Sequence, residues 1–107
     1  MTDKRLQTIL VALKRGLQKL YGPRLKGLVL YGSYARGEAT PDSDIDVAVV
    51  LDEYGDVWTE IHRYGSLVQR LCLRFNVLIA LFVVGEAEWS SRQSPILINI
   101  RQEGVPL

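Results

Sequence analysis

The chain has 107 residues, of which 48% are hydrophobic and 23% charged, a balance typical of one globular domain. Thirteen Lys and Arg residues against twelve Asp and Glu residues give a net charge of +1. This charge argues against broad electrostatic binding to nucleic acid or to an anionic membrane. We therefore expect a single domain covering residues 1–107.

Cysteine usage and hydropathy bear on location. The one cysteine, Cys72, excludes an internal disulfide and is typical of a reducing compartment. No apolar run approaches the roughly 18–20 residues that cross a bilayer. The first residues lead into an amphipathic pattern rather than a signal-peptide core. The expected location is the cytoplasm.

The first half of the chain predicts one helix and two strands. Apolar residues recur at helical spacing over residues 6–20, and Gly22-Pro23 ends that helix. Residues 25–31 form a short apolar strand that runs into Gly32-Ser33. After a polar loop, the valine-rich residues 45–51 form the second strand.

The second half predicts a helix, a strand and a further helix. Residues 77–84 are the most continuous apolar run and form the third strand, which a single helical turn follows. Ser94-Pro95 is an N-cap with proline at the first helical position, and Gly104 ends the helix over residues 96–103. The helix before the third strand has an apolar face made of Trp58, Ile61, Gly65, Val68, Cys72 and Phe75, with Leu71 at its edge.

Two features of the loop between the first two strands carry chemistry. Asp44 and Asp46 are alternate residues at the start of a strand, so their carboxylates share one face. Such a pair raises the pKa of one member unless a cation lies between them. Hard oxygen ligands favour Mg²⁺ or Mn²⁺ over zinc, and Mg²⁺ keeps ligand positions for substrate phosphates.

The turn before this pair suits a phosphate group. Gly32 allows close approach of the backbone, and Ser33 offers a hydroxyl as well as its N–H. One helical turn from Tyr34 would direct its N-terminus at the same anion, and Arg36 can add charge-assisted hydrogen bonds. Turn and carboxylates together indicate a site for a nucleoside triphosphate and its metal.

The Gly32-Ser33 turn, ten intervening residues and Asp44-Ile45-Asp46 resemble the signature of the DNA polymerase beta-like nucleotidyltransferase superfamily. The run from Gly32 to Asp46 is most similar to the prokaryotic minimal nucleotidyltransferases. The resemblance implies an α+β nucleotidyltransferase fold, with helices packed on a small mixed sheet of about three strands. It also implies that Asp44 and Asp46 hold the metal and act in catalysis, while Gly32, Ser33 and Arg36 bind the triphosphate.

One part of the family pattern is missing. Many members carry a third carboxylate on the strand that follows the second long helix. Residues 77–84 contain no acidic residue, and Glu86 and Glu88 come just after them. Nucleotide and metal binding are therefore better supported by the sequence than efficient catalysis.

The resemblance implies a function and leaves alternatives. The leading interpretation is transfer of AMP from Mg-ATP to a hydroxyl on a helical HEPN-type partner protein, in an antitoxin role. The first alternative is a non-catalytic module that keeps the nucleotide site and acts on its partner by contact. The second is a small-molecule, antibiotic-type nucleotidyltransferase whose acceptor pocket a dimer completes.

Several other residues receive structural interpretations. His62 is expected on the surface and Cys72 in the core, whereas Trp58, Phe75 and Trp89 are core or partner-facing. The apolar residues near the C-terminus exceed what one short helix needs, which indicates a self-association or partner surface. These residues are Ile96, Leu97, Ile98, Ile100, Val105 and Leu107.

Overall fold

The computed structural model describes residues 3–91 and 94–107. The helices are α1 (Asp3–Tyr21), α2 (Ser33–Arg36), α3 (Val57–Phe75), α4 (Glu86–Ser91) and α5 (Pro95–Glu103). The strands are β1 (Leu25–Tyr31), β2 (Ile45–Leu51), β3 (Ile79–Gly85) and β4 (Val105–Pro106). A 3-10 turn, Gly22–Arg24, joins α1 to β1.

The strands form one mixed sheet in the order β3-β2-β1-β4. β1 runs antiparallel to β2 and to β4, and β2 runs parallel to β3. The predicted α+β architecture with a mixed sheet is therefore confirmed, with four strands instead of about three. The sequence prediction missed β4 because two residues, one of them a proline, carry no periodic strand signal.

Alternation along β2 assigns its side chains to the two faces of the sheet. The side chains of Ile45, Val47, Val49 and Leu51 are fully buried in the core beneath the two long helices. From α1, that core receives Ile9, Leu10, Leu13 and Leu17. The opposite face carries a smaller cluster of Val50, Val84 and Leu97. Asp46 shares the parity of Val50, so it lies on this second face, away from α1 and α3.

A buried carboxylate joins α1 to α3. Glu60 is 2% exposed and accepts a hydrogen bond of 2.8 Å from the Tyr21 hydroxyl. Arg63, one turn further along α3, lies 3.3 Å from the same carboxylate. The hydrogen bond from Tyr21 and the ion pair with Arg63 offset the free-energy cost of burying the Glu60 carboxylate. Burial and the contact with Glu60 raise the pKa of Tyr21 above its usual value.

The apolar face of α3 differs from the prediction at one position. Trp58 is 71% exposed, whereas Leu71 at the edge of the face is buried and widens it. α1 ends at Tyr21, level with Glu60, so Trp58 lies past the end of that helix. Cys72 is half-buried, and His62 is exposed as predicted.

The C-terminal apolar residues divide between core and surface. Leu97 and Ile100 are buried, while Ile96, Ile98 and Val105 are between 38% and 46% exposed. The predicted helical turn after β3 is present as α4, and Ser94 is the N-cap of α5. Within the described ranges, no helix has the length and apolar character to cross a membrane.

Candidate active site

The pairing of β1 with β2 brings the glycine-serine turn to the carboxylate pair. Tyr31, the last residue of β1, lies opposite Asp46 in the antiparallel register. Gly32 follows with φ 76° and ψ −157°, a conformation that favours glycine. A Cβ atom at Gly32 would overlap the Oδ2 atom of Asp46. Only glycine therefore lets the turn and this carboxylate make contact.

The two carboxylates differ in environment. Asp46 is half-buried and Asp44 is exposed at the end of the loop. Burial, and then the charge of Asp44, raise the pKa of Asp46 above its ordinary value, against a smaller opposing effect of Arg36. Arg36 thus compensates the charge of Asp46 only in part, as expected of a site that accepts a cation.

The donor atoms of this pair fit a divalent metal. Carboxylate oxygens suit Mg²⁺ and Mn²⁺, and two of them leave ligand positions for other oxygens. Among the described residues, no group of three or more His, Cys, Asp or Glu side chains could hold a metal. Asp44 and Asp46 therefore have no third side-chain ligand of these types beside them in that part of the chain.

The predicted helical turn is α2, which begins at Ser33 directly after Gly32. The carbonyl oxygen of Gly32 accepts hydrogen bonds of 3.1 Å from the N–H groups of Ala35 and Arg36. Gly37 ends the turn in the left-handed conformation, and a Cβ atom there would meet nothing within 4 Å. The turn leaves Arg36 near enough to the carboxylates for its charge to lower the pKa of Asp46.

Sequence reasoning missed one residue of the site, Glu103. Its Oε1 atom accepts a hydrogen bond of 3.2 Å from the Gly32 N–H. The Nη1 atom of Arg36 donates to both oxygens of Glu103, at 3.3 Å and 3.1 Å. Glu38 accepts a further hydrogen bond of 3.1 Å from the Nε atom of the same guanidinium. The hydrogen bonds to Glu38 and then Glu103 raise the pKa of Arg36.

The parallel register of β2 and β3 places an alanine, not a carboxylate, beside Asp46. Ala80 pairs with Asp46 in the parallel ladder and is exposed on the same face of the sheet. Glu86 and Glu88 lie on α4, beyond Gly85, which pairs with Leu51 at the far end of β2. The length of the sheet therefore separates both glutamates from the carboxylate pair.

A cavity borders the site on the side of β3. Its volume is about 340 Å³, within the range of small-molecule sites. Tyr34 and Ser43, the neighbours of Ser33 and Asp44, are among its lining residues. Asn76, Val77 and Leu78 also line it. Its lining includes neighbours in sequence of Ser33 and Asp44 but neither carboxylate of the pair.

Replacing Asp46 by asparagine is expected to stabilise the protein in the absence of metal. Because the folded state raises the pKa of Asp46 from 3.8, ionising this carboxylate costs more in the folded chain than in the unfolded one. The melting temperature of Asp46→Asn should exceed that of the wild type at about pH 7. The gain should decrease as the pH falls through the raised pKa and vanish below 3.8, where both states are protonated.

Thermal unfolding over this pH range measures the effect. Asp42→Asn, which changes an exposed loop carboxylate close by, is the matched control and should show no comparable gain. A stabilisation by Asp46→Asn that persists below the pKa of an ordinary aspartate would contradict an electrostatic origin.

Comparison with known proteins identifies the domain family. The nucleotidyltransferase domain model matches residues 10–75. A protein of Methanocaldococcus jannaschii, named as a candidate protein adenylyltransferase, is 39% identical over 94 residues, which cover 82% of this chain and 83% of that protein. Protein adenylyltransferase MntA of Thermococcus cleftensis is 42% identical over 79 residues, covering 74% of this chain and 78% of the relative.

A solved structure shows the same fold. It is that of a tri-AMPylated HEPN toxin in complex with an MNT antitoxin from Shewanella oneidensis. The match has a TM-score of 0.56 and 20% identity, and covers 99% of this chain and 71% of that one. At this identity the likeness establishes the fold alone. The match of residues 10–75, together with the identity to both archaeal relatives, shows that the chain belongs to the nucleotidyltransferase domain family.

Proposed function

We propose that this protein binds Mg-ATP and transfers AMP to a hydroxyl group on a partner protein of the HEPN type, acting as an antitoxin. The observation that carries the proposal is the contact between the Gly32 turn and the Asp46 carboxylate. A phosphate-binding backbone and a metal-binding carboxylate must be adjacent for a metal to bridge protein and phosphates.

Five residues have assigned roles in this proposal. Asp44 and Asp46 hold Mg²⁺ or Mn²⁺, and their shared face directs both carboxylates to the same side of the sheet. The backbone at Gly32, the N–H and hydroxyl of Ser33 and the guanidinium of Arg36 bind the triphosphate. A bound divalent cation supplies charge neutralisation across the phosphates.

In the proposed reaction, the acceptor hydroxyl oxygen forms a bond with the α-phosphorus of ATP. The bond from this phosphorus to the oxygen bridging towards the β-phosphate breaks, the hydroxyl proton is released, and pyrophosphate leaves. Arg36 can stabilise the charge that accumulates on the departing phosphates. The turn holds the triphosphate in one orientation, which favours in-line attack.

The nature of the acceptor is argued from the relatives. One is a protein adenylyltransferase of Thermococcus cleftensis, and the Shewanella oneidensis structure pairs an MNT antitoxin with an AMPylated HEPN toxin. The cavity of about 340 Å³ lined by Tyr34 and Ser43 is large enough for the nucleoside or an acceptor side chain.

Ala80 favours a second candidate function. Without a carboxylate beside Asp46 on β3, the acceptor hydroxyl lacks one group that could take its proton. A module that binds nucleotide and partner without efficient AMP transfer would not need a carboxylate at this position. The two functions share the nucleotide site and differ only in turnover.

Calorimetric titration of ATP with Mg²⁺ tests the shared site. We expect binding by the wild type that depends on the metal and is lost in Asp44→Asn/Asp46→Asn, because two of the metal ligands become neutral amides. Glu53→Gln, which changes an exposed carboxylate beyond the far end of β2, should bind like the wild type. Transfer of label from α-labelled ATP to a HEPN-type partner then distinguishes the enzyme from the module. Binding that survives in the double variant would contradict the assignment of the site.

Gly32→Ala should abolish nucleotide binding, because its Cβ atom would displace the Asp46 carboxylate. Gly37→Ala is the matched control, since it also places alanine at positive φ but in open space. The left-handed conformation of Gly37, with ψ 21°, should cost its variant about 1–2 kcal/mol of stability. The backbone of Gly32, with ψ −157°, lies in a region essentially restricted to glycine and should cost its variant up to about 3 kcal/mol. Calorimetry on folded protein should show loss of binding only for Gly32→Ala; equal binding by both variants would refute the importance of the contact.

Ala80→Asp should accelerate AMP transfer, because it places a carboxylate opposite Asp46 on an exposed strand position. General-base catalysis is typically worth about 10²–10⁴-fold, so a rise of at least about tenfold is expected. Ala80→Asn, of equal size and without charge, should leave the rate unchanged. A rate that rises equally in both variants would point to a steric cause instead.

A further inference from the structure

Glu103 occupies two of the donors that the proposed function assigns to the triphosphate, the Gly32 N–H and the Arg36 guanidinium. Its carboxylate accepts from the Gly32 N–H at 3.2 Å and forms an ion pair of 3.1 Å with Arg36. The side chain of Glu103 is 28% exposed, compared with 66% for Glu38, the other partner of Arg36. Glu103 is thus the more enclosed of the two anions on this guanidinium.

These contacts have the chemistry of a phosphate complex. A backbone N–H and a guanidinium aimed at one pair of anionic oxygens are the donors that a phosphate oxygen also uses. A carboxylate and a phosphate cannot both accept from the Gly32 N–H, and their like charges repel at that distance. Binding of a triphosphate here therefore requires Glu103 to leave.

The C-terminal segment holds Glu103 in this position. β4 pairs with β1 through Val29 and Leu30, and the Leu107 N–H donates to the Leu28 carbonyl at 2.9 Å. Gly104, between Glu103 and β4, lies so close to Val29 that a Cβ atom there would overlap it. The end of α5 and the paired backbone of β4 therefore place the carboxylate at the turn.

Glu103 is not a substitute for the missing third metal ligand. It forms no metal-binding group with Asp44 and Asp46 among the described residues. Its contacts are with positive charge and an amide donor, the groups that hold phosphate rather than metal.

We propose that Glu103 is a built-in competitor of the triphosphate, which occupies the phosphate donors of the free protein and leaves when Mg-ATP binds. The inference rests on the proposed function of the same site. Only molecules whose donors are free can bind the triphosphate. The apparent affinity for the triphosphate is therefore the intrinsic affinity multiplied by the fraction of such molecules. Its return to Gly32 and Arg36 also favours release of pyrophosphate after transfer.

Calorimetric titration of Mg-ATP into the wild type, Glu103→Gln and Glu38→Gln tests the competition. Glu103→Gln should bind at least about fivefold more tightly, because a neutral amide competes weakly for charged donors. Glu38→Gln is the matched control: it removes an anion from the same guanidinium but leaves the Gly32 N–H covered. Its affinity should change by less than about twofold, as for an exposed ion pair.

A second measurement reports directly on the Gly32 amide. In nuclear magnetic resonance spectra, the Gly32 amide proton should shift on Glu103→Ala, and titration with inorganic tripolyphosphate should move the wild-type signal away from its Glu103-bound position. Glu103→Ala should also bind Mg-ATP more tightly than the wild type. These spectra show in addition that each variant is folded.

The outcomes are distinguishable. Equal or weaker Mg-ATP binding by folded Glu103→Gln and Glu103→Ala overturns the competition while leaving the proposed function intact, and would make Glu103 a residue that positions Arg36. Equal tightening by Glu38→Gln and Glu103→Gln also overturns it, since general charge would then explain the gain. Absence of binding in all variants overturns the proposed function and this inference together.

Discussion

The antiparallel register of β1 and β2 is the constraint on which the site depends. Tyr31 opposite Asp46 places Gly32 one residue past the end of the ladder, against the carboxylate. A shift of one residue would move Asp46 to the other face of the sheet. The register is held by the fully buried side chains of Ile45, Val47 and Val49, which cannot exchange with Asp46 without burying its charge. The core thus determines the geometry of the turn and the carboxylates.

The charges around this contact are only partly balanced by neighbouring side chains. Arg36 compensates part of the charge of Asp46 while it pairs with Glu38 and Glu103. Asp46 still has a raised pKa, because burial and Asp44 outweigh that compensation. In the proposed function, a divalent cation would supply positive charge to the carboxylates, and a triphosphate would replace the glutamates as the anion on Arg36. On this proposal, metal and nucleotide together would balance the charges of the site better than either alone.

Local patterns predicted most of the fold, and they are the basis on which five residues are proposed for the site. Alternation in β2 and the glycine-serine turn are readable in consecutive residues, so the chemistry of residues 32–46 can be interpreted from the sequence alone. Glu103 could not be predicted, because it lies 71 residues from Gly32 and reaches it only through the pairing of β4 with β1. The exposure of Trp58 was missed for a similar reason: helical periodicity predicts a face but not where the neighbouring helix ends.

The register of β2 and β3 decides whether a third carboxylate lies beside Asp46, which the sequence alone left open. Glu86 and Glu88 are only a few residues past the predicted strand, and a boundary error of about two residues would change their interpretation. The parallel ladder removes this ambiguity, because it pairs Asp46 with Ala80 and Leu51 with Gly85.

Ala80 and Glu103 act on different steps of the proposed reaction. Ala80 borders the carboxylates, where a charge would affect the acceptor proton, and Glu103 borders the turn, where it affects the phosphates. Ala80 lies on β3, at one edge of the sheet, and Glu103 directly precedes β4, at the other edge. Since they share no contact among the described residues, changes at the two positions should combine additively in free energy. Weak turnover at this site would then have two separable origins, slow chemistry and occupied phosphate donors, rather than a single degenerate active site.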